Sequence, residues 1–211
     1  MAASAEIVLI TCCSDGGIDD IKAAVEVVTK HTGGTLNYLV NIAGRNHFMP
    51  VRDLFEINFH GPIALTQAFA PLLIKASGMV VFITSISGYV NVPYIYGYRS
   101  LMLVAETLRL ELAPFGVDAL EVVTGAVKTL GQTYFGDLKL PAESLYKSIE
   151  DTFVSRAQGN DQLPRMDTIT GRLWYGNNAE MVKMSTPATS VPQSALDAGA
   201  TIGTDLDALA K

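Results

Sequence analysis

A chain of 211 residues lies within the reach of one large domain, since chains usually divide only beyond roughly 250 residues. A hydrophobic fraction of 49% with a mean hydropathy of +0.28 excludes a disordered chain, and charged residues at 17%, against about 25% in ordinary soluble domains, leave a surface short of charge. The net charge of −6 has the wrong sign for a phosphate backbone and argues against nucleic acid as a partner, whereas the shortage of charge points to a homo-oligomer or an apolar partner.

The two cysteines are the neighbours Cys12 and Cys13. They cannot build a disulfide framework and fit a reducing compartment, the cytoplasm. Residues 1–10 lack a basic n-region, and the apolar run 7–10 is too short for a signal peptide or a membrane span, so no transmembrane segment is expected.

Residues 6–11 (EIVLIT) form a short, β-branched apolar run, the pattern of a buried parallel strand. Turn formers at 12–18 (CCSDGGI) lead into a helix over 20–31, which Asp19 can cap and which carries Ile21, Ala24, Val25 and Val28 on one face. After TGGT at 32–35, residues 36–40 are a second strand, and 45–52 a loop. A long helix follows over 53–76, which Gly61-Pro62 and Pro71 should kink or divide. Residues 79–84 (MVVFIT) are the third strand and 85–97 a tyrosine-rich loop. A helix over 98–113 carries Leu101, Val104, Ala105, Leu108 and Leu112 on its buried face, and 117–123 is the fourth strand. Further on, 144–158 reads as a helix and 172–175 (RLWY) as a last strand, before a tail rich in Ala, Thr, Ser and Pro from 185.

Strands and helices alternating at this spacing predict an α/β fold, a parallel sheet with helical crossovers whose ligands bind at the carboxyl ends of the strands. The chain reads as one domain over 1–211, with 130–211 a less regular, substrate-side region. His31, His47 and His60 lack the spacing of metal ligands, so no metal is expected.

Three features stand in order at those carboxyl ends: a glycine-containing turn after the first strand, Asn41-Ile42-Ala43-Gly44 after the second, and Thr84-Ser85 followed by Tyr98 after the third. Together with FEINFHG at 55–61, ITSISG at 83–88, TLRLELAPFGV at 107–117 and VVTGAVKT at 122–129, they resemble the short-chain dehydrogenase/reductase family. The last two segments are most similar to the branch that includes fungal NADPH-dependent 1-acyldihydroxyacetone-phosphate reductases. The resemblance implies a Rossmann-like fold and NADP as cofactor. It also implies a site in which Tyr98 exchanges a proton with the substrate oxygen, Ser85 hydrogen-bonds that oxygen, and Asn58 holds a proton-relay water. Thirteen residues separate Ser85 from Tyr98, about the family's gap, whereas Tyr94 at the same gap would pair with Val81. The same resemblance places the cofactor on Thr11, Ser14, Gly16, Gly17, Ile18, Asn41, Ala43, Gly44, Val127 and Thr129.

Departures from the family pattern are as informative. The family's catalytic lysine lies four residues after the tyrosine, where this chain has Met102. A four-residue deletion after Arg99 or Ser100 accounts for this and turns the helix by only ~40° beyond a full circle, so its buried face survives. Without a neighbouring ammonium Tyr98 stays a weak acid, which harms alcohol oxidation more than carbonyl reduction. In the dinucleotide loop, Cys12 stands where the family has glycine, and Asp15 and Asp19 bring negative charge to the place where a helix N-terminus meets pyrophosphate. After Ile18 roughly 45 residues of the family pattern are missing, more than one βαβ unit of ~30. The first strand then joins directly to the family's fourth, giving a truncated sheet in simple sequence order with its helices on one face.

Two readings of function compete. One is an NADP-linked short-chain oxidoreductase that reduces a carbonyl of a lipid-like or secondary-metabolite substrate, in the cytoplasm or at a lipid surface. The other is a catalytically impaired member that acts as a binding or oligomerisation partner.

Overall fold

The computed structural model describes residues 6–11, 18–45, 51–88, 98–125, 137–158 and 174–175. Five parallel strands stand in sequence order: β1 (Val8–Thr11), β2 (Tyr38–Asn41), β3 (Met79–Ser85), β4 (Asp118–Thr124) and the short β5 (Trp174–Tyr175). Order and direction agree with the truncated Rossmann-like sheet expected from the sequence.

Helix α1 (Ile18–Thr32) links β1 to β2. Asp19 and Asp20 in its first turn and Lys30 and His31 in its last complement the helix dipole. It stops at Gly33 and Gly34, whose φ angles of +67° and +82° suit glycine. Between β2 and β3 the chain forms α2 (Val51–Phe55), a π-helical turn (Glu56–His60) and α3 (Gly61–Ala76). The π turn follows from Gly61-Pro62. Pro62 has no N–H to give the Asn58 carbonyl, and the Gly61 N–H bonds the Glu56 carbonyl, five residues back. Pro71, by contrast, stays inside α3 without dividing it. Pro71 and Gln67 are both exposed, so the Gln67 carbonyl that loses its donor can turn to water.

Helix α4 (Tyr98–Leu112) links β3 to β4, and Leu101, Ala105 and Leu112 are buried as its periodicity predicts. The helix expected over 144–158 is shorter, α5 (Glu150–Ala157), because the Tyr146 N–H turns back to Ser144 Oγ at 3.2 Å and a 3-10 turn (Lys147–Ile149) intervenes. Glu150 is held below the usual carboxylate range by hydrogen bonds from the Lys147 ammonium and the Leu140 N–H, at 2.8 and 2.7 Å to Oε1.

One core joins these elements. Leu39, Val80 and Phe82 of the sheet meet Phe69, Leu72 and Leu73 of α3 and Leu101, Ala105 and Leu112 of α4, with Ala24, Val25 and Val28 of α1 packed alongside. Phe69 and Phe82 are fully buried, each contributing roughly 1.5–3 kcal/mol by removal from water. Strand alternation places Leu9, Leu39, Val80 and Ala119 in register on this helix-covered face, while Ile10, Val40, Val81 and Leu120 lie in register on the other. The helices of the core therefore share one face, as the crossover argument predicts.

Candidate active site

The carboxyl ends of β1, β2 and β3 carry Thr11, Asn41 and Ser85, three of the residues singled out by sequence. Thr11 ends β1, and its carbonyl accepts from the Ile42 and Ala43 N–H groups at 3.2 and 3.0 Å, which folds the segment after β2 across the end of β1. The Thr11 hydroxyl donates to the Val40 carbonyl at 3.1 Å and lies 3.5 Å from Asn41 Oδ1. Asn41 is buried, and its Nδ2 donates to Thr66 Oγ1 of α3 at 3.4 Å while Thr66 donates to the Pro62 carbonyl at 2.7 Å. Its side chain is thus a strut between sheet and helix, so any contact of Asn41 with a ligand falls to its main chain.

Asn58 is also buried, and both ends of its amide are engaged by one residue. Oδ1 accepts from the Arg45 N–H at 2.7 Å, and Nδ2 donates to the Arg45 carbonyl at 2.9 Å. The π turn carries this side chain against the loop after β2, and the loop's path is set by the pair of bonds. Gly44 is exposed beside it, and a Cβ there would lie 3.7 Å from Asn58 Oδ1. Asn58→Asp would set a second oxygen against the Arg45 carbonyl in a buried place. It is expected to cost about 2 kcal/mol, read as a lower melting temperature, and to loosen the loop, read as faster amide exchange at Arg45.

Ser85 ends β3, half-buried, and its Oγ accepts from the Ser87 N–H at 3.2 Å, a bond that does not consume the hydroxyl proton. Next to it, Thr84 donates to Glu121 Oε1 at 2.6 Å, and Thr124 donates to the Thr84 carbonyl at 2.6 Å, so the end of β3 is tied to β4. Tyr98 is the first residue of α4, and Met102, half-buried, follows one turn later. The Tyr98 side chain, and that of Ile18 at the start of α1, fall outside the described residues, as do Ser14, Gly16, Gly17, Val127 and Thr129 altogether.

Sequence reasoning singled out Asn58 and Ser85 but missed Arg45, Thr66 and Glu121. Only tertiary contact marks these three, so no local pattern could have shown them. Asp19 is almost fully exposed and its pairing with Lys22 at 3.4 Å is a surface contact, which leaves two carboxylates, Asp19 and Asp20, in the first turn of α1. Among the described residues no group of three or more His, Cys, Asp or Glu is placed to hold a metal ion, and no helix is long and apolar enough to cross a membrane.

The family profile described as short chain dehydrogenase matches residues 2–137. The chain belongs to the short-chain dehydrogenase family. It is 44% identical over 158 residues to the short-chain dehydrogenase ptmH of Penicillium ochrochloron, a match covering 69% of this chain and 58% of that protein. It is 34% identical over 144 residues to the NADPH-dependent 1-acyldihydroxyacetone phosphate reductase of Schizosaccharomyces pombe, covering 61% and 49%. The chain thus spans about half the length of these relatives. A solved short-chain dehydrogenase from Burkholderia cenocepacia, in complex with NADP, shares the fold with a TM-score of 0.54 at 19% identity, over 87% of this chain and 76% of that one. One from Streptomyces avermitilis does so with a TM-score of 0.53 at 24% identity, over 91% and 73%.

Proposed function

We propose that this short-chain dehydrogenase family member is an NADP-linked cytoplasmic reductase acting on a carbonyl of a lipid-like or secondary-metabolite substrate. The observation that carries the reading is the frame at the strand ends: Ser85 closing β3, Tyr98 opening α4, and Asn58 fixing the loop after β2 with two short bonds. The name of the Schizosaccharomyces pombe relative, a reductase of a ketone phosphate, supports the direction and the substrate class.

When bound, NADPH supplies the hydride that reaches the carbonyl carbon. In this reading the Tyr98 hydroxyl gives its proton to the carbonyl oxygen as the C=O bond becomes C–O–H, and the Ser85 hydroxyl donates a hydrogen bond to the same oxygen. The loop 42–45, held by Thr11 and Asn58, would offer main chain to the cofactor, and exposed Gly44 would allow close approach. The pyrophosphate end fits less well, because Asp19 and Asp20 set two negative charges at the N-terminus of α1. The reading therefore carries a weak affinity for cofactor. The experiment that tests it is NADPH consumption with a panel of lipid-like ketones at high cofactor concentration.

Met102 limits the direction of the reaction. In this reading methionine in place of lysine one turn from Tyr98 serves reduction, which needs a phenol, and starves oxidation, which needs a base. Positions 98 and 102 are one turn apart in α4, so Met102→Lys is the substitution that tests for an activating ammonium. Each pKa unit it removes is worth ~1.36 kcal/mol, and the variant is expected to oxidise the matching alcohol about tenfold faster than the parent. An unchanged oxidation rate in a folded variant would show that Tyr98 is not the base.

Met102 also favours a second reading, a family member without turnover that works through association. Carbonyl-dependent NADPH consumption separates the two.

A further inference from the structure

Thr84, the residue before Ser85, is gripped twice by β4. On the helix-covered face its buried hydroxyl donates to Glu121 Oε1 at 2.6 Å, and its carbonyl accepts from the Thr124 hydroxyl, also at 2.6 Å. The pairing of β3 with β4 runs as far as Ser85 and Thr124, which are register partners. Their side chains therefore stand side by side on the other face of the sheet, and both residues are half-buried. Strand ends are where backbone ladders open most readily. The Thr124 bond acts at that point, on the carbonyl of the peptide whose nitrogen belongs to Ser85.

We propose that Thr124 is a positioning residue for Ser85, its hydroxyl fixing the Thr84–Ser85 peptide plane and through it the direction of the serine side chain. The proposal rests on the reductase reading, in which the Ser85 hydroxyl donates to the carbonyl oxygen. Two features favour it over a purely structural bond. Glu121 already anchors the Thr84 side chain, so β3 is joined to β4 without Thr124, and what Thr124 adds is the orientation of the one peptide that leads into Ser85. Beyond Ser85 the chain enters a 3-10 turn (Ile86–Gly88), whose Ser87 N–H reaches back to Ser85 Oγ at 3.2 Å, so the hydroxyl and the path of the turn both depend on that plane. An error there is carried to the serine oxygen, and a reacting group misplaced by about 1 Å can cost about a hundredfold in rate.

Amide exchange at Ser87 reports the position of Ser85 Oγ and needs no turnover. In Thr124→Val it is expected to quicken about tenfold, the effect of one lost hydrogen bond, with kcat for carbonyl reduction falling by about the same factor and the KM for NADPH unchanged. Thr124→Ser, which keeps the hydroxyl, should restore both. Ala119→Gly, which loosens the opposite end of β4, should lower the melting temperature and leave both as in the parent. If Thr124→Val does not fold, Thr124→Ala takes its place with the same expectations. Ser87 exchange or kcat at the parent value in a folded variant without the hydroxyl would overturn the proposal. Failure of Thr124→Ser to restore them, or an equal response to Ala119→Gly, would overturn it too. A parent without ketone-dependent NADPH oxidation would overturn the reductase reading instead, and exchange at Ser87 would still decide whether Thr124 holds the serine.

Discussion

Tyr98→Phe is expected to lower carbonyl reduction at least about a hundredfold while leaving NADPH affinity unchanged. The substitution removes one oxygen and with it the proton donor, and a positioned general acid contributes about 10²–10⁴ to a rate. Tyr98 opens α4, where phenylalanine serves the helix as well as tyrosine does, so the fold should not respond. Initial rates at fixed NADPH and ketone, with thermal melts as control, make the comparison. A folded variant with its rate intact would remove Tyr98 from the mechanism and shift attention to the hydroxyls of Ser85 and Ser87.

The largest expected effect on stability comes from a residue with no side chain. Gly78 sits where α3 turns into β3: Ser77 adopts the left-handed conformation at φ +48°, and the Gly78 N–H donates to the Leu73 carbonyl at 2.9 Å. Its carbonyl accepts from the Asp118 N–H at 3.0 Å, so it also starts the pairing of β3 with β4. A Cβ at this position would lie 2.6 Å from the carbonyl oxygens of both Leu36 and Asn37. Those are main-chain atoms at the entry to β2, where Leu36 donates to Leu72 and Met79 donates to Asn37. Relief of the clash has to move β2 against β3. Gly78→Ala should therefore cost about 3 kcal/mol, which for a chain of this size lowers the melting temperature by roughly 10 °C. A melting temperature within a degree or two of the parent would show that the strand entry has more freedom than its contacts indicate.

Much of this fold is legible in the sequence because the patterns concerned are local. The i, i+4, i+7, i+11 spacing of Leu101, Ala105, Leu108 and Leu112 corresponds to the face of α4 that meets the core, and the run MVVFIT lies within β3. The strand order follows from the missing unit after Ile18, since without its strands β1 pairs with β2 alone among the described residues, while the right-handed crossover sets the face that α1 covers. Other features depend on partners that no spacing reveals. Gly61-Pro62 signals a disturbance, but the π turn arises from where the Gly61 N–H finds its acceptor, and the same signal at Pro71 produces no break because the orphaned carbonyl can face water. Asn58 is visible through family pattern as a site residue, while its amide's hold on the Arg45 main chain is visible only in three dimensions. Asn41 shows the converse: a motif residue whose side chain is committed to Thr66 and lies on the packed side of the sheet.

The acidic start of α1 ties fold to function. Asp19 and Asp20 stabilise the helix through its dipole, and the same charges oppose a pyrophosphate. In the proposed reading cofactor affinity and proton donation therefore reside in different elements, the start of α1 and the start of α4.

The most direct test of the reductase assignment is the loss of nicotinamide absorbance when the chain, NADPH and a lipid-like ketone are mixed over a range of NADPH concentrations. The account predicts ketone-dependent oxidation of NADPH that keeps rising beyond about micromolar cofactor, where a dissociation constant of that size would correspond to −8.2 kcal/mol, and that Asp19→Asn with Asp20→Asn brings to saturation at lower cofactor. No ketone-dependent oxidation at any NADPH concentration, in a chain that melts cooperatively, would contradict it.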